Sequence, residues 1–320
     1  MAITIGERNS IRSAFGKALV QAGKENPNIV VLDADLACST QTQMFGKEFP
    51  ERFFDMGIAE QDMIATAAGL ASVGKIPFAA SFAMFATGRT YDQIRNSVCY
   101  PELNVKIIGT HGGVTVGEDG ASHQALEDVS LMRGIPGMSV IVPADCRECE
   151  QVIKFAAENY GPMYIRVART NVPDIFGEDY EFDFCKAKVL QEGEDVTVIT
   201  NGETLAEVIL AANELEKQGY SIQVIHVPVV KPLDDATIIE NAKKTKFVIT
   251  VENHSITGGL GTAVCESLSY YYPMPVIRLG VNDTFGQSGK WAELLDYYGL
   301  SAQKLIKTIK KQIDRYRLVK

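Results

Sequence analysis

The stretch Gly109–Gln124, GTHGGVTVGEDGASHQ, gathers more chemistry-bearing groups than any other part of this 320-residue chain. It holds two of the four histidines, His111 and His123, an acidic pair, Glu118 and Asp119, and five glycines. Glycine lets a loop turn tightly and bring its backbone close to a ligand. Two histidines on such a loop suit hydrogen bonding to a polyhydroxylated substrate, with proton transfer near neutral pH. Without further ligands at spacing they make a poor metal site. A structural alternative has His111 capping a strand and His123 opening a helix.

Two other stretches place polar groups where a strand should end, the usual ligand position in open α/β sheets. One is Asp33–Ser39, with Asp35 and Ser39; the other is Asp55–Gln61, DMGIAEQ, entering a helix with Glu60. GxxxxGK[ST], GxGxxG after a strand, HExxH and GxSxG are all absent. Gly258, Gly259 and Gly261 have the wrong spacing for a dinucleotide and suit close packing of a helix on a sheet. Cys146 and Cys149 form a CxxC, but no second ligand pair accompanies it, and Asp145 reads as a helix N-cap.

The elements that would position these groups alternate. Ser10 precedes apolar residues at helical period (Ile11, Ala14, Phe15, Ala18, Leu19), and Ile29–Leu32 is a short apolar strand. Strand-like runs at Val105–Ile108, Val140–Val142 and Tyr164–Val167 follow, separated by helical patterns at Met63–Leu70 and Cys149–Ala157. This predicts a parallel sheet covered on both faces. A second alternation begins at Val196–Thr200, continues through a helix Leu205–Lys217, and adds strands at Ile222–Val227, Phe247–Val251 and Val276–Leu279. Composition shifts between Asn171 and Lys188, where acids, aromatics and a proline interrupt the pattern. The expected organisation is therefore two consecutive parallel-sheet α/β domains, 1–172 and 189–320, joined by a linker 173–188.

Hydrophobic residues at 46% and charged residues at 22% describe a globular chain with a full core. A formal net charge of −9 argues against a nucleic-acid partner, and no apolar run approaches a bilayer span. The N-terminal segment lacks a signal-peptide pattern, so a cytoplasmic location is expected. The basic tail Lys307–Lys320 reads as the solvated face of a terminal helix.

The order of these motifs resembles the transketolase family over nearly the whole chain. MGIAEQ is similar to the family's cofactor-glutamate segment, SFAMF to its aromatic pocket, and GTHGGVTVGEDGASHQ to its substrate loop. The likeness continues through Val142–Asp145, Tyr164–Arg169 and the second domain. It implies a thiamine-diphosphate pyrimidine-binding domain followed by a smaller transketolase C-terminal-type domain. Glu60 would hydrogen-bond the pyrimidine from a buried, apolar setting and so activate the thiazolium carbon. Phe82 and Phe85 would pack on the pyrimidine, or else be plain core, and Asp35 would lie near the cofactor. A third aromatic of the family has no counterpart, because Gly88 falls at that spacing. His111 and His123 would serve the substrate oxygens and move protons, and Asp119 would read a hydroxyl configuration. Arg12, Ser39 and Arg169 would hold a terminal phosphate, although Arg12 is equally readable as an exposed helix arginine.

The family's GDG…N motif for Mg²⁺ or Ca²⁺ and the diphosphate does not occur in this sequence. The resemblance therefore implies the C-terminal subunit of a split transketolase, active with an N-terminal subunit bearing GDG…N and acting on sugar phosphates. A two-fold assembly is expected, a homodimer alone and a heterotetramer with the partner. Competing expectations are a 1-deoxyxylulose-5-phosphate synthase-like chain, a 2-oxoacid dehydrogenase E1 β-like subunit, or a non-catalytic regulatory or scaffold homologue.

Overall fold

The computed structural model describes residues 4–318. Fourteen strands follow in chain order: β1 Arg8–Ser10, β2 Ile29–Asp33, β3 Phe53–Asp55, β4 Ile76–Phe82, β5 Lys106–Thr110, β6 Ser139–Ile141, β7 Met163–Val167, β8 Asn171–Pro173, β9 Lys188–Gln191, β10 Val196–Thr200, β11 Ile222–His226, β12 Val229–Lys231, β13 Val248–Ser255 and β14 Val276–Val281. They form a seven-stranded sheet ordered β12-β6-β7-β5-β4-β2-β3 and a five-stranded sheet ordered β14-β13-β10-β11-β9. Pairing is parallel except at the edges β12 and β9. A small antiparallel ribbon, β1 with β8, ties the start of the chain to the end of the first unit. The expected two-domain α/β architecture is what the chain adopts.

Local chemistry accounts for the helix starts. Ser10 accepts from the backbone N–H of Ser13 at the head of helix Ile11–Glu25, and Asp145 does the same for Glu148 at the head of Cys146–Glu158. The second Asp145 oxygen accepts from the backbones of Ile175 and Phe176, so one carboxylate caps a helix and holds the linker. Central strands such as β5 and β10 are buried along their whole length, as expected for parallel strands covered on both faces.

One strand crosses the expected division. β12 comes from the second half of the sequence, yet it pairs with β6 and extends the first sheet. Further buried polar ties join the halves: His226 to Glu148 at 2.9 Å, and Arg166 to the Asn253 carbonyl at 3.0 Å. Gly259 and Gly261 do allow close packing, since an added Cβ would meet Glu252 at 2.0 Å and Thr250 at 2.6 Å respectively. Glu252 itself accepts from the N–H groups of Leu260 and Gly261, so the protein's own carboxylate occupies that helix start. The terminal helix Ala302–Leu318 buries Leu305, Ile309 and Ile313. No helix among the described residues is long and apolar enough to cross a membrane.

Candidate active site

The C-terminal edge of the first sheet gathers the predicted residues. Parallel register pairs Phe82, the last residue of β4, with Thr110, the last of β5. The residue after Thr110, His111, turns back with φ +60° and stacks on Phe82, 3.8 Å between centroids. His123 approaches both phenylalanines edge-on, 5.2 Å from Phe85 and 6.2 Å from Phe82. Phe82 and Phe85 lie 6.2 Å apart with nearly parallel planes. The two histidines and two phenylalanines thus form one contiguous group. Phe82 is buried and Phe85 half-buried.

Glu60 opens helix Glu60–Ser72, where the helix dipole favours an acid. It is only 2% exposed. Its setting is buried as expected but not apolar: Arg89 donates to Glu60 Oε2 at 2.7 Å. The same guanidinium stands over the Phe85 ring at 4.6 Å. Phe85 and Arg89 share a π-helical turn, Phe85–Arg89, a wide form that is common at functional sites. Gly88 supplies no third aromatic, and the next residue, Arg89, covers Phe85 instead.

Burial separates the two histidines. His111 is 3% exposed, and its pKa is lowered to about 3 by burial first, then by Arg12, Arg169 and His123. Burial and the neighbouring guanidinia thus favour the neutral imidazole, a form suited to hydrogen bonding. Its Nδ1 is engaged with Thr110 Oγ1 at 2.9 Å, which leaves Nε2 for a ligand. His123 is half-buried and more accessible, with Nδ1 3.0 Å from Ser122 Oγ. Asp119 ends the turn Val114–Asp119 with its side chain exposed.

Gln124 pins this loop from inside, its Nε2 donating to the carbonyls of Val114, Gly117 and Gln287. The last of these belongs to the second domain, which therefore braces the substrate-loop candidate. Sequence reading offers no signal for that brace or for Arg89.

The remaining candidates sit on one flank. Arg12 is half-buried, not an exposed helix arginine, and donates to the carbonyls of Ser39 (2.6 Å) and Arg169 (3.2 Å). Arg169 reaches the Val116 carbonyl and lies 3.2 Å from Glu118. Ser39 thus enters through its backbone. Asp35 has φ +60°, is exposed, and takes part through its N–H, which donates to Asp55. Asp33 beneath it is buried and accepts from Leu36, Thr40 and Thr42, shaping the turn; burial raises its pKa.

Two distractors fall away. Both CxxC thiols are pushed up by burial, that of Cys146 to about 12, and no group of metal-ligating side chains occurs among the described residues. A groove of about 760 Å³ between helices Ile11–Glu25 and Cys146–Glu158 lies away from every candidate residue.

The transketolase pyrimidine-binding domain family matches residues 7–174, and the transketolase C-terminal domain family matches residues 185–305. The chain belongs to the transketolase family. It is 49% identical to a putative transketolase C-terminal section of Methanocaldococcus jannaschii, over 97% of this chain and 98% of that protein. It is 40% identical to a 6-deoxy-6-sulfo-D-fructose transketolase subunit of a Clostridium, over 97% and 96%. Among solved structures, one described as a split-gene transketolase, inactive β4 tetramer, superposes with TM-score 0.88 at 50% identity, covering 95% of this chain and 98% of that one. The Campylobacter jejuni transketolase superposes at TM-score 0.81 with 26% identity, and this chain spans 47% of its length. In extent, this member of the family corresponds to the C-terminal subunit of a split transketolase.

Proposed function

We propose that the chain works as one half of a thiamine-diphosphate-dependent transferase, moving a two-carbon ketol unit from a ketose phosphate to an aldose phosphate. The supporting observation is the single cluster in which Glu60, Arg89, Phe85, His123, Phe82 and His111 follow one another in contact. A buried carboxylate beside aromatic faces fits an aminopyrimidine, which needs one hydrogen-bonding acid and a stacking surface. The diphosphate and its Mg²⁺ or Ca²⁺ would be held by a partner bearing the GDG…N motif, which this sequence does not contain.

When bound, thiamine diphosphate supplies an electron sink at its thiazolium carbon. The chain's own residues do the rest. Glu60 would hold a proton at its free carboxyl oxygen toward the pyrimidine, with Arg89 orienting the carboxylate through Oε2. Phe85 and Phe82 hold the ring and exclude water. His111 donates or accepts at Nε2 as a neutral imidazole, and His123 carries protons to and from the sugar oxygens. Asp119 reads a hydroxyl, and Arg12 with Arg169 holds the distal anion through guanidinium donors.

The test is a reconstitution with the partner subunit, Mg²⁺ and thiamine diphosphate. Xylulose 5-phosphate plus ribose 5-phosphate should turn over, and pyruvate plus glyceraldehyde 3-phosphate should not. Sulfonated and branched sugars belong in the same panel, because relatives are named for 6-deoxy-6-sulfofructose and apulose 4-phosphate. Turnover of the pyruvate pair would replace this reading with the synthase-like one. Failure to bind thiamine diphosphate would favour a non-catalytic homologue.

A further inference from the structure

The flank pocket contains more than the two arginines assigned above. About 410 Å³ in size, it is lined by Arg8, Arg12, Arg169, Thr170, Asn171 and Trp291. Arg8 is held there by the β1–β8 ribbon, and its Nη1 donates to the Asn171 carbonyl at 2.9 Å. Trp291 comes from the other domain, as the first residue of helix Trp291–Tyr297. The Arg8 guanidinium lies over its ring, 4.7 Å from the centroid.

Three arginines line this space and no acidic residue does. Glu207 stands 3.6 Å from Arg8 and Glu118 3.2 Å from Arg169, so both acids approach from outside the lining. The Glu207 distance is too long for a hydrogen bond. Burial and the neighbouring Arg169 both disfavour the charge on Arg12, a repulsion that an incoming anion relieves. Each guanidinium has five N–H donors, and the backbone contacts use only some of them.

We propose that Arg8 and Trp291 are specificity-determining residues of this pocket, selecting substrates that end in a dianionic phosphate monoester over those ending in a sulfonate or a plain hydroxymethyl group. The inference rests on the ketol-transfer reading, which assigns Arg12 and Arg169 to the substrate's far end. A phosphate monoester carries close to two charges at neutral pH, whereas a sulfonate carries one. The first charge is met by Arg12 and Arg169; Arg8, oriented by the indole face, meets the second. The indole also removes water from one side, which strengthens the ion pairing. The C-terminal domain thereby takes part in choosing the substrate.

Trp291 is the only tryptophan in the chain, so the pocket carries its own probe. The full chain, without partner or cofactor, is titrated with ribose 5-phosphate, with the isosteric 5-sulfonate and with ribose, following tryptophan fluorescence. Saturable binding of the phosphate, about tenfold or more tighter than the sulfonate, is expected for one charge-assisted contact. Arg8→Gln should erase most of that preference, while Arg8→Lys should retain part of it. In the reconstituted enzyme, Arg8→Gln and Trp291→Phe should raise KM for phosphorylated donors much more than they lower kcat. Equal affinities for phosphate and sulfonate, or an unchanged preference in Arg8→Gln, would overturn the proposal. A preference lost in Arg8→Gln without any ketol transfer by the complex would sink the proposed reaction and leave the pocket standing. Ketol transfer with a preference indifferent to Arg8 would sink this inference alone.

Discussion

The imidazole of His111 lies nearly flat on the ring of Phe82, 3.8 Å between centroids and 24° between planes. The contact ties the end of β4 to the loop after β5. It also buries the imidazole, and burial together with two nearby guanidinia lowers its pKa to about 3.

That setting has a pH consequence. Because the folded pKa lies below the unfolded value, the unfolded state binds the extra proton between about pH 6.5 and 3. Stability from this group is complete above the unfolded pKa and is lost as pH falls toward the folded one. At pH 5 the loss should be about 2 kcal/mol, at roughly 1.4 kcal/mol per pH unit for one proton. Urea unfolding of wild type and His111→Gln at pH 7.5 and pH 5 checks this. Wild type should lose that much more than the variant across the interval; parallel losses would show that His111 protonates freely when folded.

Glu60→Gln should leave the fold intact, since the amide oxygen can still accept from Arg89. Loss of proton transfer should slow the chemistry by about 10²- to 10⁴-fold. Hydrogen–deuterium exchange at the thiazolium C2 of the cofactor, in the reconstituted complex, reads this step directly. Exchange at the wild-type rate would remove Glu60 from the mechanism.

Arg89→Met probes the contact that the sequence did not reveal. Removing the 2.7 Å ion pair leaves Glu60 free to rotate away from one productive orientation. A loss of about tenfold or more in the same exchange rate is expected, matching one charge-assisted hydrogen bond. Because Glu60 stays buried without its partner, thermal stability should fall as well, so the exchange rate is the readout that separates the roles. A stability loss with normal exchange would make Arg89 purely structural.

Asp119→Ala should lower kcat/KM by one to two orders of magnitude, about the value of a charged hydrogen bond, and only for donors with the matching hydroxyl. Its carboxylate is exposed at the end of a braced turn, placed for contact with a ligand more than for support. Equal losses across donor epimers would assign it to the loop.

What the sequence made legible was local chemistry. Asp145 reads as a cap because its partner, Glu148, is three residues away, and the structure has that bond at 2.8 Å. Helix Thr204–Lys217 reads from its period, because the apolar stripe records one buried face. β4 carries no such record: IPFAASF contains Pro77 and two alanines, and it becomes a strand because β2 and β5 flank it. β12 is placed by pairing with β6, roughly ninety residues earlier, which no local pattern encodes. The site divides in the same way. Glu60, His111 and His123 stand out by type and motif, whereas Arg89 and Trp291 acquire meaning only when folding brings them to Glu60 and Arg8.

The chain by itself should fold, associate with itself and show no ketol transfer. On the proposed reading, Glu60 acts on a cofactor whose diphosphate is held by the GDG…N subunit, a motif this sequence does not contain. Phe54 and Ile58, beside the Glu60 helix, and Val73 at its far end are exposed apolar groups that a partner or a second copy would cover. Sedimentation of the purified chain should show a homo-oligomer. Titration with the GDG…N subunit, Mg²⁺ and thiamine diphosphate should convert it to a mixed two-fold assembly, with activity rising in proportion to that species. Activity that persists in rigorously partner-free protein would mean this chain anchors the diphosphate itself, and the two-subunit mechanism would have to be abandoned.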